Sequence, residues 1–344
     1  MRAMELEQLD PTGANSTPLR LVERPRPSPA PGELLLRVEV CGVCHTELDE
    51  IAGRTAPPRL PVVPGHQVVG VVEAAGPGAA GAAPGQRVAV AWIGGACGRC
   101  DSCLRGFENL CPAFVATGRD RDGGYAEYMT VDARFAIAIP DAIESAAAAP
   151  LLCAGAVGYR SLRLASLEDG QPLGLTGFGA SGHIVLQLSR YLYPDSPVFV
   201  FARSPEEREF ARVLGAAWTG STDAEPPTKL RSIIDTTPAW TPVLAALRHL
   251  APGGRLVINA IRKEARDRDE LRNLSYEDHL WMERELKSVA NVTRADVTGM
   301  LDAAVASGIR PEVQEYPLEQ ANDVLVAIRD RHIRGAKVLR IAGA

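Results

Sequence analysis

The sequence predicts a two-domain α/β protein, in which a β-rich first half is followed by a doubly wound parallel sheet. The chain has 344 residues, which is more than one domain core usually contains. Short valine-rich segments closed by proline and glycine fill the first half, whereas helical and strand patterns alternate from about Pro150 onward. We expect a first domain over residues 1–152, a second domain over 153–294, and a segment, 295–344, that packs back onto the first domain.

Four segments of the first half have the composition of short strands. Each is rich in β-branched residues and is bounded by turn residues, which favours strands joined by many loops. They are ELLLRVEVCGV (33–43), VVPGHQVVGVVEAAGPG (62–78), PGQRVAVAWIGG (84–95) and GGYAEYMTVDARFAIAIP (123–140). The first domain is therefore predicted to be rich in both strands and loops.

The second half repeats strand, helix and strand, which is typical of a parallel doubly wound sheet. The predicted strands lie within 171–178, 196–204, 231–237, 253–261 and 285–292, and the helical patterns within 181–192, 204–215 and 240–250. The final stretch, 308–342, has the pattern of a strand, a helix and another strand.

The composition argues against several classes of function. A formal net charge of −5 offers no basic surface for nucleic acid or for an anionic membrane. The N-terminal residues lack the apolar stretch of a secretory signal, and no apolar window is long enough to span a bilayer. Seven cysteines, four of them clustered, are typical of metal binding in a reducing compartment. We expect a cytoplasmic protein that acts on a small molecule.

The four clustered cysteines have the spacing C-x2-C-x2-C-x7-C. They are Cys97, Cys100, Cys103 and Cys111. Four thiolates on one short segment can close a tetrahedral shell around zinc, which predicts a structural metal site. An iron–sulfur cluster is the alternative, because ferredoxin-type segments begin with similar spacing.

Several motifs resemble those of zinc-dependent alcohol dehydrogenases of the medium-chain dehydrogenase/reductase superfamily. They are CGVCHTEL, PGHQVVGVV, PGQRVAV, the four-cysteine segment, PLLCAG and GFGASGH, and they extend over almost the whole chain. The resemblance implies a GroES-like β-rich catalytic domain and a Rossmann domain for a nicotinamide cofactor. It also implies two zinc ions per chain, one catalytic and one structural, and a homodimer or homotetramer.

The resemblance assigns the catalytic zinc to Cys44, His66 and Cys153. Two thiolates and one imidazole leave the fourth position open, as a catalytic zinc requires. Thr46 matches the hydroxyl that takes the proton of the substrate alcohol. Glu47 matches the carboxylate, usually aspartate, that orients the histidine ligand.

The same region departs from the family pattern at two positions. Asp49 stands where many members end the proton relay in histidine, and Gln67 replaces a glutamate beside the metal. His45 matches a cofactor-pyrophosphate contact, although a plain loop role is the alternative. Cys41 lies off the motif and is interpreted as a small buried apolar residue.

The segment GLTGFGASGH follows a predicted strand and opens a predicted helix. It contains Gly177, Gly179 and Gly182 in the pattern G-x-G-x-x-G, with Ala180 and Ser181 inside the turn. In this context the glycines predict a dinucleotide site, because they allow the backbone to approach the pyrophosphate closely. The segment 289–293 resembles the family's nicotinamide contact, which adds Asn291.

The end of the second strand favours NADP(H) over NAD(H). NAD-selective folds place an acid there, but this chain has Ala202, Arg203 and Ser204, and a guanidinium can bind the 2′-phosphate bidentately. Arg208 is a second phosphate candidate. The alternative is that Arg203 only faces solvent and that Ser204 caps the next helix.

Trp92 matches a position in the wall of the substrate pocket, where a large ring favours small or flat primary alcohols and aldehydes. The alternative is that Trp92 packs beneath the segment that carries the four clustered cysteines.

The sequence thus predicts a reversible alcohol dehydrogenase or aldehyde reductase. Two other hypotheses stay open. One is a polyol or sugar dehydrogenase of the same superfamily, and the other is a non-catalytic protein that binds zinc and cofactor.

Overall fold

The computed structural model describes residues 1–179, 181–330 and 335–341, which form two compact units. Unit 1 comprises Met1–Cys153, Asn291–Val305 and Arg310–Ala344, and unit 2 comprises Ala154–Ala290 and Ala306–Ile309. The predictions for residues 331–334 and 342–344 lie outside the described residues.

The strands are numbered in chain order. They are β1 (Arg2–Leu6), β2 (Leu19–Glu23), β3 (Glu33–Val43), β4 (Gln67–Ala75), β5 (Arg87–Val90), β6 (Ile93–Gly95), β7 (Val115–Ala116), β8 (Tyr128–Asp132), β9 (Ile137–Ala138), β10 (Leu173–Thr176), β11 (Val198–Phe201), β12 (Trp218–Gly220), β13 (Leu230–Asp235), β14 (Leu250–Ile258), β15 (Glu285–Ser288), β16 (Val313–Pro317) and β17 (Ala336–Arg340).

The α-helices are also numbered in chain order. They are α1 (His45–Ile51), α2 (Asp101–Leu104), α3 (Ser145–Pro150), α4 (Ala156–Ala165), α5 (Gly182–Leu192), α6 (Pro205–Val213), α7 (Thr241–His249), α8 (Arg294–Ser307) and α9 (Ala321–Arg329). No helix among the described residues combines the length and the apolar composition needed to cross a bilayer.

Unit 1 is built around a mixed sheet with the strand order β16-β17-β3-β4-β5-β9, in which β8 also pairs with β3. The long strand β3 lies at its centre, and its leucine and valine side chains are buried. The C-terminal strand β17 pairs antiparallel with β3, so the last part of the chain completes the sheet begun by the first part.

The register between β3 and β4 positions the site. Gly42 near the end of β3 pairs with Gln67 at the start of β4. In an antiparallel pair, the end of one strand lies beside the start of the next. Cys44, just after β3, and His66, just before β4, therefore lie close together at the same end of these two strands.

Unit 2 contains a six-stranded, entirely parallel sheet with the order β12-β11-β10-β13-β14-β15. The order reverses at β10, which lies between β11 and β13. The carboxyl ends of strands at such a reversal are where doubly wound sheets bind ligands. Together with unit 1, this sheet confirms the predicted fold class.

The helix α7 shows how unit 2 buries its core. Val243, Leu244 and Leu247 are spaced so that they lie on one side of the helix, and all three are buried. They pack in one cluster with Ile233 of β13 and Leu256 of β14. This packing supports β13, which pairs with β10, the strand that precedes the glycine turn.

Candidate active site

The three predicted ligands of the catalytic metal converge in unit 1. Cys44 Sγ lies 3.7 Å from His66 Nε2, and the donor atoms of Cys44, His66 and Cys153 all lie within 4.8 Å of one another. Zinc–sulfur and zinc–nitrogen bonds of normal length would separate such donors by roughly 3.5 Å. Cys153 lies in a π-helical turn, Leu151–Gly155, a feature that often marks functional sites. The donor set therefore fits zinc.

Glu47 holds two of these ligands at once. Its Oε2 accepts a hydrogen bond of 2.9 Å from the backbone N–H of Cys44, which is the N-cap of α1. Its Oε1 lies 2.6 Å from Nδ1 of His66, and both side chains are buried. A histidine whose Nδ1 faces a carboxylate presents Nε2 to a metal. The capping box of α1 thus also orients the imidazole.

We expect the substitution Glu47→Gln to weaken zinc binding at this site by about 10- to 100-fold, as is usual for loss of a partner that orients a ligand. The amide keeps the size of the side chain but removes the negative charge beside His66. Competition with a chelator of known affinity measures the change. The four-cysteine site serves as an internal control, and equal affinities in variant and wild type would refute the orienting role.

The other residues predicted near the metal have defined positions. Thr46 is buried in the first turn of α1, and its backbone N–H points to Cys44 Sγ at 3.4 Å. Asp49 is buried, and its Oδ1 accepts from Arg54 Nε at 2.7 Å. Gln67 is buried against β3, where a Cβ added at Gly42 would lie 2.5 Å from its Oε1. The contact of Asp49 with the guanidinium of Arg54 was not predicted from the sequence.

The four clustered cysteines also come together. All are free, and their sulfur atoms lie within 4.8 Å of one another. Backbone N–H groups point at two of the sulfurs: Cys97 receives one from Cys100 at 3.4 Å, and Cys111 receives one from Cys97 at 3.3 Å. Such donors stabilise thiolates, and those of Arg99 and Cys100 lower the pKa of the Cys97 thiol. The geometry fits a closed four-thiolate zinc site.

The lobe that carries these cysteines is joined to helix α8. Oε1 of Glu108 accepts from Arg294 Nε at 3.0 Å, and Oε2 accepts from Nη2 at 2.7 Å. Partial burial acts to raise the pKa of Glu108, but the hydrogen bonds and the charge of Arg294 together outweigh it, so the pKa is lowered. The ion pair therefore ties the cysteine lobe to the first turn of α8.

The glycine turn in unit 2 lies at the carboxyl end of β10. Gly177 has φ of +80°, a conformation that favours glycine. A Cβ at Gly182 would lie 2.8 Å from the carbonyl oxygen of Gly177, so close packing of turn and helix requires its absence. At Gly179 a Cβ would meet no described atom within 4 Å, which leaves the backbone open to a ligand. Ser181 precedes α5, and Ala180 lies outside the described residues.

The segment between β11 and α6 contains the helix cap that the sequence offers at Ser204. Ser204 is the N-cap, and its Oγ accepts from Glu207 N at 3.0 Å. Ala202 is buried, whereas Arg203 is exposed and has no side-chain partner within the described ranges. Arg208 donates through Nη1 to the carbonyl oxygens of Ala202 and Arg203, at 2.8 and 2.9 Å. Its guanidinium therefore supports this backbone.

Two further predicted cofactor contacts lie in unit 1. His45 is exposed at the start of α1. Asn291 has φ of +58°, and its buried Nδ2 has no hydrogen-bond partner among the residues that the structure describes. Asparagine adopts this conformation more readily than most residues, whereas an unsatisfied buried amide is uncommon and is consistent with a ligand contact.

Trp92, the predicted pocket wall, is held by three side chains. Its Nε1 donates to Oε1 of Glu50 at 3.3 Å, its ring lies 5.3 Å from that of Phe114, and the guanidinium of Arg119 lies 5.2 Å from its centroid. Burial, and after it the charge of Glu47, raises the pKa of Glu50 well above the usual carboxyl range. Glu50 was not predicted from the sequence, although its helical spacing from Glu47 places both on one face of α1.

A buried ion pair beside the glycine turn was also missed. Lys263 pairs with Asp235 at the end of β13 and donates to the carbonyl oxygens of Thr237 and Ala239, at 2.7 and 3.0 Å. Asp235 also accepts from Thr176 Oγ1 at 2.5 Å. No local sequence pattern connects Lys263, in a loop after β14, with the end of β10. The network stiffens the carboxyl ends of the two central strands.

Comparison with known proteins finds alcohol dehydrogenases. Residues 30–141 match the family described as the alcohol dehydrogenase GroES-like domain. The chain is 41% identical to a probable alcohol dehydrogenase, AdhA, of Mycobacterium tuberculosis, over 96% of this chain and 95% of that protein. It is 30% identical to an alcohol dehydrogenase of Geobacillus stearothermophilus, over 99% of this chain and 100% of that protein.

Among solved structures, the chain is similar to a cobalt- and zinc-bound thermostable alcohol dehydrogenase from Pyrobaculum aerophilum. The TM-score is 0.86 at 27% identity, and the match covers 100% of this chain and 99% of that one. The sequence relatives and this structural neighbour thus agree with the fold of the chain. The chain belongs to the alcohol dehydrogenases of the medium-chain dehydrogenase/reductase superfamily.

Proposed function

We propose that this alcohol dehydrogenase depends on zinc, prefers NADP(H), and interconverts a primary alcohol and its aldehyde, with aldehyde reduction as the usual direction. The observation that carries the proposal is the convergence of Cys44, His66 and Cys153 within 4.8 Å, with Glu47 against the imidazole. A set of three ligands with soft sulfur and imidazole donors is typical of catalytic zinc.

At this centre the side chains of the protein would hold the metal and orient its histidine ligand. When bound, zinc would supply a Lewis acid with an open coordination position, which polarises the oxygen of an alcohol or aldehyde. Cys44 and Cys153 would hold it as thiolates, and His66 would do so through Nε2. Glu47 keeps the proton of His66 on Nδ1, because its Oε1 lies 2.6 Å from that atom. The bound cobalt and zinc of the Pyrobaculum aerophilum relative support this assignment.

We assign proton transfer from the substrate hydroxyl to Thr46, which lies in the first turn of α1 two residues after Cys44. Asp49 is on the same short helix, but its Oδ1 is engaged by Arg54. In this proposal Asp49 contributes to the electrostatic field around Thr46. Protons pass from Thr46 toward solvent by a route that does not include Asp49.

For the cofactor, we propose that the open backbone of Gly179 and the first turn of α5 hold the pyrophosphate. NADP(H), when bound, would supply or accept the hydride. Arg203 is exposed at the end of β11, where no acid is present to repel a 2′-phosphate. These two features support the preference for NADP(H).

The position of Trp92, which contacts three neighbouring side chains, supports a preference for small or flat substrates.

The test is the initial rate of oxidation of NADPH and NADH, in parallel, with a panel of short aliphatic and flat aromatic aldehydes. We expect a rate at least about tenfold higher with NADPH, which corresponds to roughly 1.4 kcal/mol of transition-state discrimination. Faster turnover of NADH would refute the cofactor preference while leaving the dehydrogenase in place.

Two further measurements separate the remaining alternatives. Metal analysis should find zinc at both cysteine-containing sites, and an iron content in place of zinc would refute the structural-zinc assignment. Faster turnover of sugars or polyols than of simple aldehydes would favour the polyol hypothesis. No turnover with either cofactor would favour a non-catalytic binding protein.

A further inference from the structure

We infer that Glu50 is a positioning residue, which fixes the indole of Trp92 and thereby sets how strictly the enzyme discriminates between slim and bulky substrates. The inference rests on the proposed function, in which Trp92 faces the substrate. It concerns a residue to which neither the motif nor the metal chemistry gives a role.

The position of Glu50 in α1 brings its side chain into the unit. Thr46, Glu47 and Glu50 are spaced by one and three residues, so they occupy one side of a short helix, and all three are buried. Glu47 uses its two oxygens on Cys44 and His66. Glu50, one turn later, directs Oε1 to the indole of Trp92 at 3.3 Å.

The environment of Glu50 is costly for a carboxyl group. The residue is 1% exposed, and its Oε2 has no hydrogen-bond partner within the described part of the chain. A buried polar group with one satisfied atom costs free energy that an apolar side chain of similar volume avoids. The one hydrogen bond that its side chain makes to a described residue, to Trp92, is therefore the contact through which Glu50 acts.

Two further side chains contact the ring of Trp92, and neither bonds to its Nε1 atom. Phe114 packs at 5.3 Å with an interplanar angle of 47°, and Arg119 lies over the ring at 5.2 Å. Arg119 is itself held by Asp120 through two hydrogen bonds of 2.8 Å. Its charge is thus balanced, and it acts as a flat cover on the indole rather than as an anion site. Within the described ranges, Glu50 is the one hydrogen-bond partner of Nε1 and fixes that edge of the indole.

The experiment compares kcat/KM for a short straight-chain aldehyde with that for a branched, bulky one. We expect Glu50→Met, which keeps the volume but removes the acceptor, to lower the slim-to-bulky ratio about fivefold, the usual effect of losing one neutral hydrogen bond. The change should lie mainly in KM, because the metal ligands are untouched. Glu50→Gln retains a carbonyl acceptor and should restore the ratio.

A second readout is independent of turnover. Acrylamide quenching of Trp92 fluorescence, taken as the difference between proteins with and without Trp92→Phe, should increase in Glu50→Met and return to the wild-type level in Glu50→Gln. Metal content should stay unchanged in both variants. As a matched control, Glu5→Gln alters another buried glutamate of unit 1, whose partner is Arg24, and should leave ratio and quenching unchanged.

The substitution Trp92→Phe tests the same bond from the donor side and leaves α1 intact, so the inference stays testable if Glu50→Met does not fold. It should lower the ratio, and Glu50→Met should cause no further loss in that background, because the two changes remove one interaction. An unchanged ratio in Glu50→Met or Trp92→Phe, or additive effects of the two, would overturn the inference. Absence of any turnover by the wild type would instead refute the proposed function.

Discussion

Replacing Cys153 by alanine is expected to lower kcat/KM for aldehyde reduction by at least about 10³-fold, which is the scale of losing metal-ion catalysis. The structure places Cys153 with Cys44 and His66 in one donor set. Two remaining donors bind zinc too weakly to keep it in place. Metal analysis should therefore show the loss of one zinc per chain, while the four-cysteine site keeps its own.

The matched control is Cys41→Ala, since Cys41 is a buried, free cysteine of the same unit that does not belong to either donor set. Loss of its sulfur should cost stability on the order of 1 kcal/mol, by creating a small cavity. Metal content and kcat should be those of the wild type. Retention of full zinc and activity in Cys153→Ala would refute the proposed catalytic site.

Reversing the charge at Arg203, by Arg203→Glu, is expected to raise KM for NADPH by at least about 100-fold. Charge-assisted hydrogen bonds to the phosphate are worth roughly 1.5–3 kcal/mol, and a carboxylate at the same place adds repulsion. KM for NADH should fall or stay within about threefold, because the added acid can bond the ribose hydroxyls. Steady-state kinetics with both cofactors measure the effect.

Arg212→Glu is the control for this prediction. Arg212 is another exposed arginine on α6, the helix that follows Arg203, and it pairs with Glu209. Its reversal changes the net charge equally but should leave both KM values nearly unchanged. Similar losses of NADPH affinity in the two variants would indicate a general electrostatic effect, and no loss in Arg203→Glu would remove Arg203 from the cofactor site.

Local patterns predicted the regular parts of the fold. The valine-rich segments became β3, β4, β5 and β8, and the second half formed the parallel sheet, because side-chain periodicity reflects burial of one or both faces. The hairpin of β1 and β2 and the three-residue strand β12 were not predicted. Their stability comes from pairing partners, which single short segments do not reveal.

The active site divides in a similar way. Residue types and spacing named the four clustered cysteines and the glycine turn, because each of these chemistries requires particular side chains within a short segment. The other three donors, which are far apart in the chain, were named by the family resemblance. The engagement of Asp49 by Arg54 and the contact between Glu50 and Trp92 were not predicted. Both depend on which side of α1 faces the interior and on the loops that pack against it.

For this protein, the sequence by itself determined the fold class, the four-cysteine donor set and the dinucleotide turn, since these depend on local composition and spacing. The resemblance of its motifs to those of a known family named the other donor set, Cys44, His66 and Cys153. Only the tertiary structure showed that the donor atoms of those three residues lie within 4.8 Å of one another. It alone showed that Lys263 reaches Asp235 and that Glu50 holds Trp92. Those contacts join segments far apart in the chain. Their geometry is set by strand register and by packing of whole elements, to which every buried residue contributes.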